Sequence, residues 1–367
     1  MKKLLYIVST LQDGGGTVHL IDLLKGMVNG DYLISVIILL KAHRRKYLKQ
    51  LMKLDVKVIL LDIEIDFNRL DSPWYQMNRF IFKYKKVDKI VRQLKPDIIH
   101  IQSAGATSLI MPIWSKTNKI IYVTHMLEAF NYKWAIKWLL ILVWRFRARY
   151  RNISFVVTSN ASASYTVAAT NMQPEVIYNG VDSNNFLVRK HYASDVITLV
   201  NVARLDKDKN HDLIIDVADN LRKHGITFKL LLAGDGDLKE HLQQRVEELG
   251  LAMYVDFLRF VYDVPKLLSE CDIYVHPCRE AFGISIVEAM ISGLPVVSIN
   301  EGAVNELIDD GKEGFLVEKD VQKFSNAIMD LANDLDKRKC IGASARKKGL
   351  LYSVEAMVEG YKKIYNQ

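Results

Sequence analysis

The sequence predicts an α/β protein built from two doubly wound parallel-sheet domains. Three observations support this prediction. Short β-branched runs alternate with longer helical patterns in both halves, a polar stretch interrupts the alternation once, and 367 residues are too many for one ordinary core. Half of the residues are hydrophobic and a quarter are charged, so two sizeable cores can form.

Seven strands are expected in the first half of the chain. Their apolar residues do not alternate strictly with polar ones, which is typical of strands that are covered on both faces. In chain order the segments are KLLYIVST, YLISVIILL, VKVILLDI, DIIHIQS, KIIYVTH, SFVVTSN and EVIYNG. The helical patterns between them then serve as crossovers between parallel neighbours.

A polar stretch at residues 181–195 separates the halves, and six further strands follow it. These are ITLVNVAR, FKLLLAGDG, YVDFLRF, IYVHPC, PVVSIN and GFLVE. We predict a first domain over 1–183, a linker over 184–195, a second domain over 196–350, and a C-terminal helix over 351–367 that packs back toward the first domain. Because ligands bind beyond the carboxyl ends of such strands, we expect the chemistry in a cleft between the two domains.

The charge is distributed unevenly. The net charge is +8, but residues 1–190 carry 28 Lys and Arg against 13 Asp and Glu, whereas the rest of the chain carries 22 against 29. A basic first half indicates an anionic partner. No helix-turn-helix, zinc-finger or RRM motif is present, so we expect no nucleic acid, and a membrane surface or an acidic small substrate stays open.

The cysteines and the apolar runs indicate a cytoplasmic protein. Three cysteines form no even framework, which is typical of a reducing compartment. The start MKKLLYIVST resembles a signal peptide, but its apolar run is short, so a buried strand is expected. The longest other apolar run, WLLILVW, is far below the roughly 20 residues that span a bilayer.

Two sequence features could bind an anion such as a diphosphate. Gly14, Gly15 and Gly16 precede a helix and leave backbone amides uncovered, although they lack the spacing of a dinucleotide fingerprint. Arg204 follows a strand, and Lys209 precedes a helix. These two cations could neutralise a diphosphate, or they could form an ordinary salt bridge in a solvated loop.

The stretch EAFGISIVEAM places two carboxylates around a turn. Glu280 comes just after a strand, and Glu288 falls inside the helix that follows. Gly283 lets the backbone approach a ligand closely. These carboxylates could hold the vicinal hydroxyls of a sugar, because one carboxylate can accept two hydrogen bonds. The spacing alone also allows a solvated pair of acids on a helix surface.

The chain resembles the retaining glycosyltransferases of family 4, which have the GT-B fold of two Rossmann-like domains facing a cleft. The span from Glu280 to Glu288 matches their E-x7-E signature. Further matches follow in the family's order over nearly the whole chain: the GGG turn, PDIIHIQS, VTH, VIYNGVDSNNF, ARLDKDKN, AGDGDL and GAVNELIDDGKEGFLV.

The resemblance implies roles for individual residues. Arg204 and Lys209 would bind the donor diphosphate, and His125 would lie beside the donor sugar near the acceptor. Glu280 would hold the transferred sugar and Glu288 the ribose. The remaining donor-binding residues that it implies are Gly15, Gly16, Phe282, Gly283 and Ile284. Asn179 and Gly180 would lie at the interdomain edge of the cleft.

Some positions depart from the family's pattern. Arg259, with Phe260, stands near the loop that reads the nucleotide base in the family, where a glycine is common before VYDVP, so the nucleotide is less firmly implied. A UDP-sugar is favoured, and a GDP-sugar stays open. Lys209-Asn210 replaces the usual Lys-Gly pair, which is expected to change the turn. Cys278 stands where a serine often follows the proline.

We expect neither a metal nor a cofactor. The residues Cys271, Asp272, His276 and Cys278 lie close together, but no second ligand pair follows them at zinc spacing. The DGD of residues 235–237 looks like a metal-binding motif of other sugar transferases, yet it matches the family's glycine-rich turn.

The basic half suggests a membrane surface and a lipid-linked acceptor. Residues 132–151 combine three tryptophans with six cations, as in an interfacial helix, although a buried crossover helix fits nearly as well. Basic segments at 43–53 and 79–95 favour the membrane. We therefore expect a retaining, metal-independent glycosyltransferase at the inner face of the cell membrane, in bacterial polysaccharide assembly. The alternatives are a noncatalytic membrane-associated subunit of a glycan-assembly complex, a GT-B nucleotide-sugar epimerase and a glycosyl phosphorylase.

Overall fold

The computed structural model describes residues 1–12, 14–28, 30, 32–41, 44–63, 85–102, 119–125, 153–188 and 196–367. The chain divides into two compact units. The first unit is Met1–Gly180 together with Val354–Gln367, and the second unit is Val181–Ser353. The predicted interfacial segment at 132–151 lies outside the described residues, as does the second half of the predicted linker.

The first unit contains a seven-stranded parallel sheet in the order β3-β2-β1-β4-β5-β6-β7. The strands are β1 (Lys2–Val8), β2 (Tyr32–Leu40), β3 (Lys57–Ile63), β4 (Ile98–Gln102), β5 (Lys119–Thr124), β6 (Ile153–Val157) and β7 (Glu175–Val176). Alternate residues of β1 supply two cores, with Leu4 and Tyr6 on one face and Leu5 and Ile7 on the other. The strand order reverses between β1 and β4, which places a ligand-binding position beside the ends of these strands.

Strand β7 is shorter than the segment EVIYNG that predicts it. Its two residues pair with Val156 and Val157, the last residues of β6. Beyond them the chain turns into a helix whose first turn is capped by the Ser159 hydroxyl, which accepts a hydrogen bond from the backbone N–H of Ser162 at 3.1 Å. The strand therefore ends because its partner does.

Three helices of the first unit are α1 (Gly15–Met27), α2 (Arg45–Met52) and α3 (Asn160–Thr170), and residues 85–94 are also helical. The C-terminal helix (Val354–Asn366) completes this unit. Its buried residues recur at helical spacing: Met357, Val358, Tyr361, Ile364 and Tyr365. Gly26 of α1 lies so close to Val358 that a Cβ atom there would overlap it.

The second unit contains a six-stranded parallel sheet in the order β10-β9-β8-β11-β12-β13. The strands are β8 (Ile197–Val202), β9 (Phe228–Ala233), β10 (Val255–Arg259), β11 (Ile273–His276), β12 (Val296–Ile299) and β13 (Gly314–Val317). The helices are α4 (His211–Lys223), α5 (Lys239–Glu248), α6 (Val264–Ser269), α7 (Ile284–Ile291), α8 (Val304–Leu307), α9 (Val321–Asn333) and α10 (Leu335–Gly349). The order reverses between β8 and β11, so their carboxyl ends lie side by side.

The thirteen strands predicted from the sequence are all present, and both sheets are parallel. The predicted α/β fold of two doubly wound domains is thus confirmed. Within the described ranges, no helix is both long enough and apolar enough to cross a membrane.

Candidate functional site

The backbone of Glu280 is held by a neighbouring loop just after β11. Its carbonyl oxygen accepts a hydrogen bond from the backbone N–H of Ala303 at 2.9 Å, and Glu280 forms an isolated parallel bridge with Gly302. Gly302 has φ of 70°, and a Cβ atom there would lie 2.6 Å from the Glu280 carbonyl oxygen. Glycine fits this left-handed close approach, so the loop fixes the position of Glu280.

The carboxylate of Glu280 pairs with Lys209. The Lys209 ammonium donates to Glu280 Oε1 at 2.6 Å, and the two side chains are only 15% and 21% exposed. Burial by itself would lower the pKa of Lys209, but the negative charge of Glu280 outweighs it and raises this pKa. Lys209 is therefore a cation at neutral pH, and its other two N–H donors can bind further oxygens.

Three possible metal ligands share this corner of the second unit. His276 Nε2, Cys278 Sγ and Glu280 Oε1 lie within 4.8 Å of one another. The Lys209 ammonium already occupies the same carboxylate oxygen. Burial raises the pKa of the Cys278 thiol well above its ordinary value, so the group stays protonated. A divalent cation would have to displace Lys209 and deprotonate Cys278, which the surroundings oppose.

The loop that carries Lys209 is locked to the end of β11. Residues Lys207–Lys209 form a 3-10 turn, and Asn210 then adopts a left-handed conformation with φ of 52°. The Asn210 side chain donates to the Pro277 carbonyl oxygen at 2.9 Å. Asparagine tolerates this conformation better than most non-glycine residues. Asn210 thus takes a left-handed conformation that glycine also adopts readily. The expected difference from the turn of the family's Lys-Gly pair stays a prediction.

Arg204 lies at the end of β8, next to a glycine-rich turn. Its guanidinium is 59% exposed, pairs with Asp206 and lies 3.8 Å from Asp208, so it can reach an incoming anion. A Cβ atom at Gly234 would overlap the Ala203 carbonyl, and one at Gly236 would lie 2.6 Å from the Leu205 carbonyl oxygen. Close packing against the loop after β8 therefore explains both glycines of this turn, including the central residue of the DGD segment.

Helix α7 begins directly behind Glu280. Its N-cap residue is Gly283, which has φ of 99° and provides no side-chain cap, so the first amides of the helix are free of a capping side chain. Ile284 opens the helix, and Phe282 is buried against Tyr352 with ring centroids 5.6 Å apart. Glu288 lies in the second turn of the helix, as the sequence predicts.

The predicted base-reading loop has an unusual backbone. Arg259 ends β10 with φ of 55°, in the left-handed region where glycine is common. The exposed ring of Phe260 contacts Tyr262 edge-on, with centroids 4.9 Å apart. The two rings form a small exposed aromatic surface after β10.

Sequence reasoning missed a buried polar group beneath this site. Asn201 of β8 donates to the Val275 carbonyl oxygen at 2.8 Å and accepts from His211 Nε2 at 3.0 Å. Burial lowers the pKa of His211 and that of His276 to about 4, so both rings are neutral at pH 7. The signal was available, since Asn201 and His276 are polar residues near the carboxyl ends of apolar strands.

The first unit has its own cluster at the ends of β1, β4 and β5. Helix α1 starts at Gly15, with Gly14 as N-cap and no side-chain cap. A Cβ atom at Gly16 would lie 3.7 Å from the ring of His125, which directly follows β5. The structure thus brings three predicted residues, Gly15, Gly16 and His125, into one neighbourhood.

His125 is connected to residues that the sequence analysis did not select. Gln102 Nε2 at the end of β4 lies 2.5 Å from His125 Nε2. The buried ring of His19 stacks edge-on against His125, with centroids 4.6 Å apart. The predicted residue Gly180 donates its backbone N–H to Met357 Sδ at 3.2 Å, and Asn179 is buried beside it.

The two halves of the chain match two family models. Residues 13–185 match Glycosyltransferase Family 4, and residues 183–348 match Glycosyl transferases group 1. A sulfoquinovosyl transferase of Arabidopsis thaliana is 28% identical over 294 residues, which are 72% of this chain and 56% of the relative.

A second relative is a GDP-mannose-dependent alpha-(1-6)-phosphatidylinositol monomannoside mannosyltransferase of Mycolicibacterium smegmatis. It is 30% identical over 187 residues, which are 46% of this chain and 49% of the relative. The chain thus spans about half the length of the curated relatives it matches.

The fold has close counterparts among solved structures. HepE of Anabaena, crystallised with UDP and glucose, aligns with a TM-score of 0.80 and 22% identity over 100% of both chains. Together with this GT-B neighbour, the two family matches, which run from residue 13 to residue 348, identify the chain as a glycosyltransferase family 4-like protein with the GT-B fold.

Proposed function

We propose that the protein is a retaining glycosyltransferase that moves a sugar from a nucleotide-sugar donor to an acceptor hydroxyl. One observation carries the proposal: Lys209 and Glu280 form a largely buried pair, and the exposed side chain of Arg204 lies in the same loop as Lys209. The two loops concerned follow β8 and β11, which are neighbours in the sheet. The two cations can bind the oxygens of a diphosphate, and a fixed carboxylate can accept hydrogen bonds from sugar hydroxyls.

The charges that develop in the reaction agree with these residue types. Breaking the anomeric C–O bond builds positive charge on the sugar and negative charge on the departing diphosphate. Arg204, Lys209 and the N-terminal amides of α7 would stabilise the leaving group, and losing one such donor costs on the order of 3 kcal/mol in the transition state. Because two side-chain cations neutralise the diphosphate, the proposed transfer needs no metal.

In this proposal the anomeric configuration is retained because the acceptor hydroxyl attacks the sugar from the same face that the diphosphate leaves. The sequence nominates no convincing carboxylate for the opposite face of the sugar, as a double displacement would need. The departing phosphate then takes the proton of the acceptor hydroxyl. His125 would contact the donor sugar, and Glu288 would hold the ribose, as the E-x7-E resemblance implies.

The names of similar proteins guide the choice of donor and acceptor. HepE binds UDP and glucose, whereas the mycobacterial relative depends on GDP-mannose. We favour a UDP-sugar as the donor and keep a GDP-sugar as the alternative, with Arg259 and Phe260 beside the base.

The acceptor is proposed from the same relative. Because the mycobacterial relative acts on a phosphatidylinositol monomannoside, we propose a glycan or lipid-linked acceptor at the inner membrane face, in polysaccharide assembly. Flotation with anionic and neutral liposomes tests this, and binding to neither contradicts the membrane proposal.

Release of nucleoside diphosphate tests the enzymatic proposal. UDP-glucose, UDP-N-acetylglucosamine and GDP-mannose serve as donors with and without a simple sugar acceptor. Glu280→Gln and Lys209→Ala should reduce release by two to three orders of magnitude, as expected for about 3 kcal/mol. Lys323→Ala, which removes an exposed ion pair with Glu318 in the same unit, is the matched control. Donor binding without turnover would favour the noncatalytic subunit, and an epimerised donor sugar would favour the epimerase.

A further inference from the structure

A chain of buried hydrogen bonds connects the C-terminal helix to His125. Tyr6 Oη lies 2.9 Å from Tyr365 Oη, and Tyr365 Oη lies 2.6 Å from His100 Nδ1. His100 Nε2 lies 3.0 Å from Gln102 Oε1, and Gln102 Nε2 lies 2.5 Å from His125 Nε2. We call these five residues the His125 relay. All of them belong to the first unit.

The chemistry of the Gln102 amide sets the direction of every bond in the relay. The amide nitrogen can only donate, so His125 Nε2 must accept. The amide oxygen can only accept, so His100 Nε2 must carry a proton. His100 Nδ1 then accepts from the Tyr365 hydroxyl, which in turn accepts from Tyr6.

Both imidazole rings are neutral at physiological pH. Burial lowers the pKa of His100 to about 3 and the pKa of His125 to about 4. A neutral ring carries one proton, and His125 Nε2 is occupied as an acceptor. The single proton of His125 must therefore lie on Nδ1.

The Nδ1 atom of His125 is buried and has no hydrogen-bond partner among the residues that the structure describes. An unpaired buried donor is unfavourable in a protein, so such a group calls for an explanation. The ring also lies against Gly16, at the end of the sheet where ligands of this fold bind. A ligand oxygen would satisfy this donor.

We propose that Gln102 is a positioning residue that holds His125 as the Nδ1–H tautomer, so that His125 offers a ligand oxygen a fixed hydrogen-bond donor and not a base. The identity of that oxygen, a hydroxyl of the donor sugar or of the acceptor, rests on the proposed function. A donor at this position is compatible with a transfer in which the leaving phosphate accepts the acceptor's proton, since no histidine base is needed.

The tautomer can be measured directly on the ligand-free full chain. Histidine is labelled with 15N, and long-range 1H–15N correlations at pH 7.5 report which ring nitrogen carries the proton. The His125 signals are those lost in His125→Gln. We expect Nδ1 protonated in the wild type, and Nε2 protonated in Gln102→Glu, because a carboxylate can only accept. Protonated Nε2 in the wild type, or an unchanged pattern in Gln102→Glu, would overturn the inference.

Two tyrosines of the C-terminal helix provide a matched pair of variants. Tyr365→Phe removes the hydroxyl that donates to His100, whereas the buried hydroxyl of Tyr361 has no partner among the described residues. We expect Tyr365→Phe to shift the Nδ1 signal of His100, which loses its donor, while His125 keeps its proton on Nδ1 because Gln102 is unchanged. Tyr361→Phe should leave the signals of both rings unchanged. Equal spectra for the two variants would contradict the relay, and both changes remove one oxygen only, so the fold should be kept.

The measurement separates this inference from the proposed function. It uses no substrate, so a failed transfer assay leaves the tautomer result intact, and a wrong tautomer leaves glycosyl transfer untouched. Where transfer is observed, Gln102→Glu should lower kcat at least tenfold and leave the affinity for nucleoside diphosphate within about threefold. Unchanged kcat with a reversed tautomer would contradict the role of the Nδ1–H donor.

Discussion

Asn210 illustrates how a single residue shapes the candidate site. Its left-handed backbone begins α4, and its side chain donates to the Pro277 carbonyl oxygen at 2.9 Å. The residue therefore serves both the turn after Lys209 and the link to β11. These two contributions can be separated, because glycine keeps the backbone conformation and alanine does not.

We predict that Asn210→Gly lowers the free energy of unfolding by about 1 kcal/mol, the usual value of one hydrogen bond. Asn210→Ala should cost about 1–2 kcal/mol more, because a left-handed alanine is strained. Urea denaturation of the two variants checks this. An equal cost for both would mean that the backbone conformation contributes nothing.

Contacts between residues that are far apart in the sequence were not predictable. Glu280 and Lys209 could be selected because their residue types are visible in the sequence, as are their positions after a predicted strand and before a predicted helix. Their 2.6 Å contact joins positions 71 residues apart, so no local pattern reveals it. The same holds for Tyr365 and His100, which are 265 residues apart. Roles of individual residues in binding a donor remain predictions.

At the scale of elements, the C-terminal helix packs against α1 through a glycine. Gly26 faces Val358, and a Cβ atom at Gly26 would overlap that side chain. Alanine is otherwise the better helix former by about 1 kcal/mol. The effect of Gly26→Ala on the free energy of unfolding should therefore depend on whether the Val358 side chain is present.

We predict that Gly26→Ala destabilises the wild-type chain by about 1–3 kcal/mol through overpacking. In a Val358→Ala background the same change should be neutral or stabilising, because the overlapping methyl groups are gone. Chemical denaturation of the four proteins gives the coupling energy. Lys25→Ala, at a half-exposed position of α1, is the control. An equal cost in both backgrounds would rule out the proposed contact.

The elements themselves were largely predictable. Thirteen apolar runs predicted thirteen strands, because fully covered parallel strands leave an unbroken apolar signal. The short length of β7 was not predictable, since it depends on where its partner β6 ends. The left-handed conformation of Arg259 was not predictable from the residue type, which argues against it. The glycine that is common at this position in the resembling family was the available signal.

Across the whole molecule, buried histidines couple stability to pH. Burial lowers the pKa of five of them: His19, His100, His125, His211 and His276. In the unfolded chain each would titrate near 6.5. Below that pH the unfolded state binds more protons than the folded state, so the free energy of unfolding falls as the pH falls.

We predict that the thermal midpoint drops steeply between pH 7 and pH 5, with at most about 2 kcal/mol lost per buried histidine. Differential scanning calorimetry at several pH values measures this. A midpoint at pH 5 equal to that at pH 7 would show that the histidines are not held neutral.

The division of the chain into two domains was predicted from the sequence, but its exact boundaries come from the structure. The sequence predicted two α/β domains from alternation and from one polar interruption, and the fold confirms this class. The structure divides the chain between residues 180 and 181 and returns Val354–Gln367 to the first unit. Charge patterning suggested a membrane surface, and the segment that carries this suggestion, 132–151, lies outside the described residues.

Isothermal titration calorimetry with nucleoside diphosphates and their sugar conjugates tests the central claim most directly. Lys209→Ala should weaken binding of UDP or GDP by about ten- to a hundredfold, as expected for a lost charge-assisted contact of roughly 1.5–3 kcal/mol. Glu280→Gln should bind the free diphosphate as well as the wild type or more tightly, because it frees Lys209, but it should lose the affinity that the attached sugar adds. Wild-type affinities in both variants, for both ligands, would contradict a donor site built on Lys209 and Glu280.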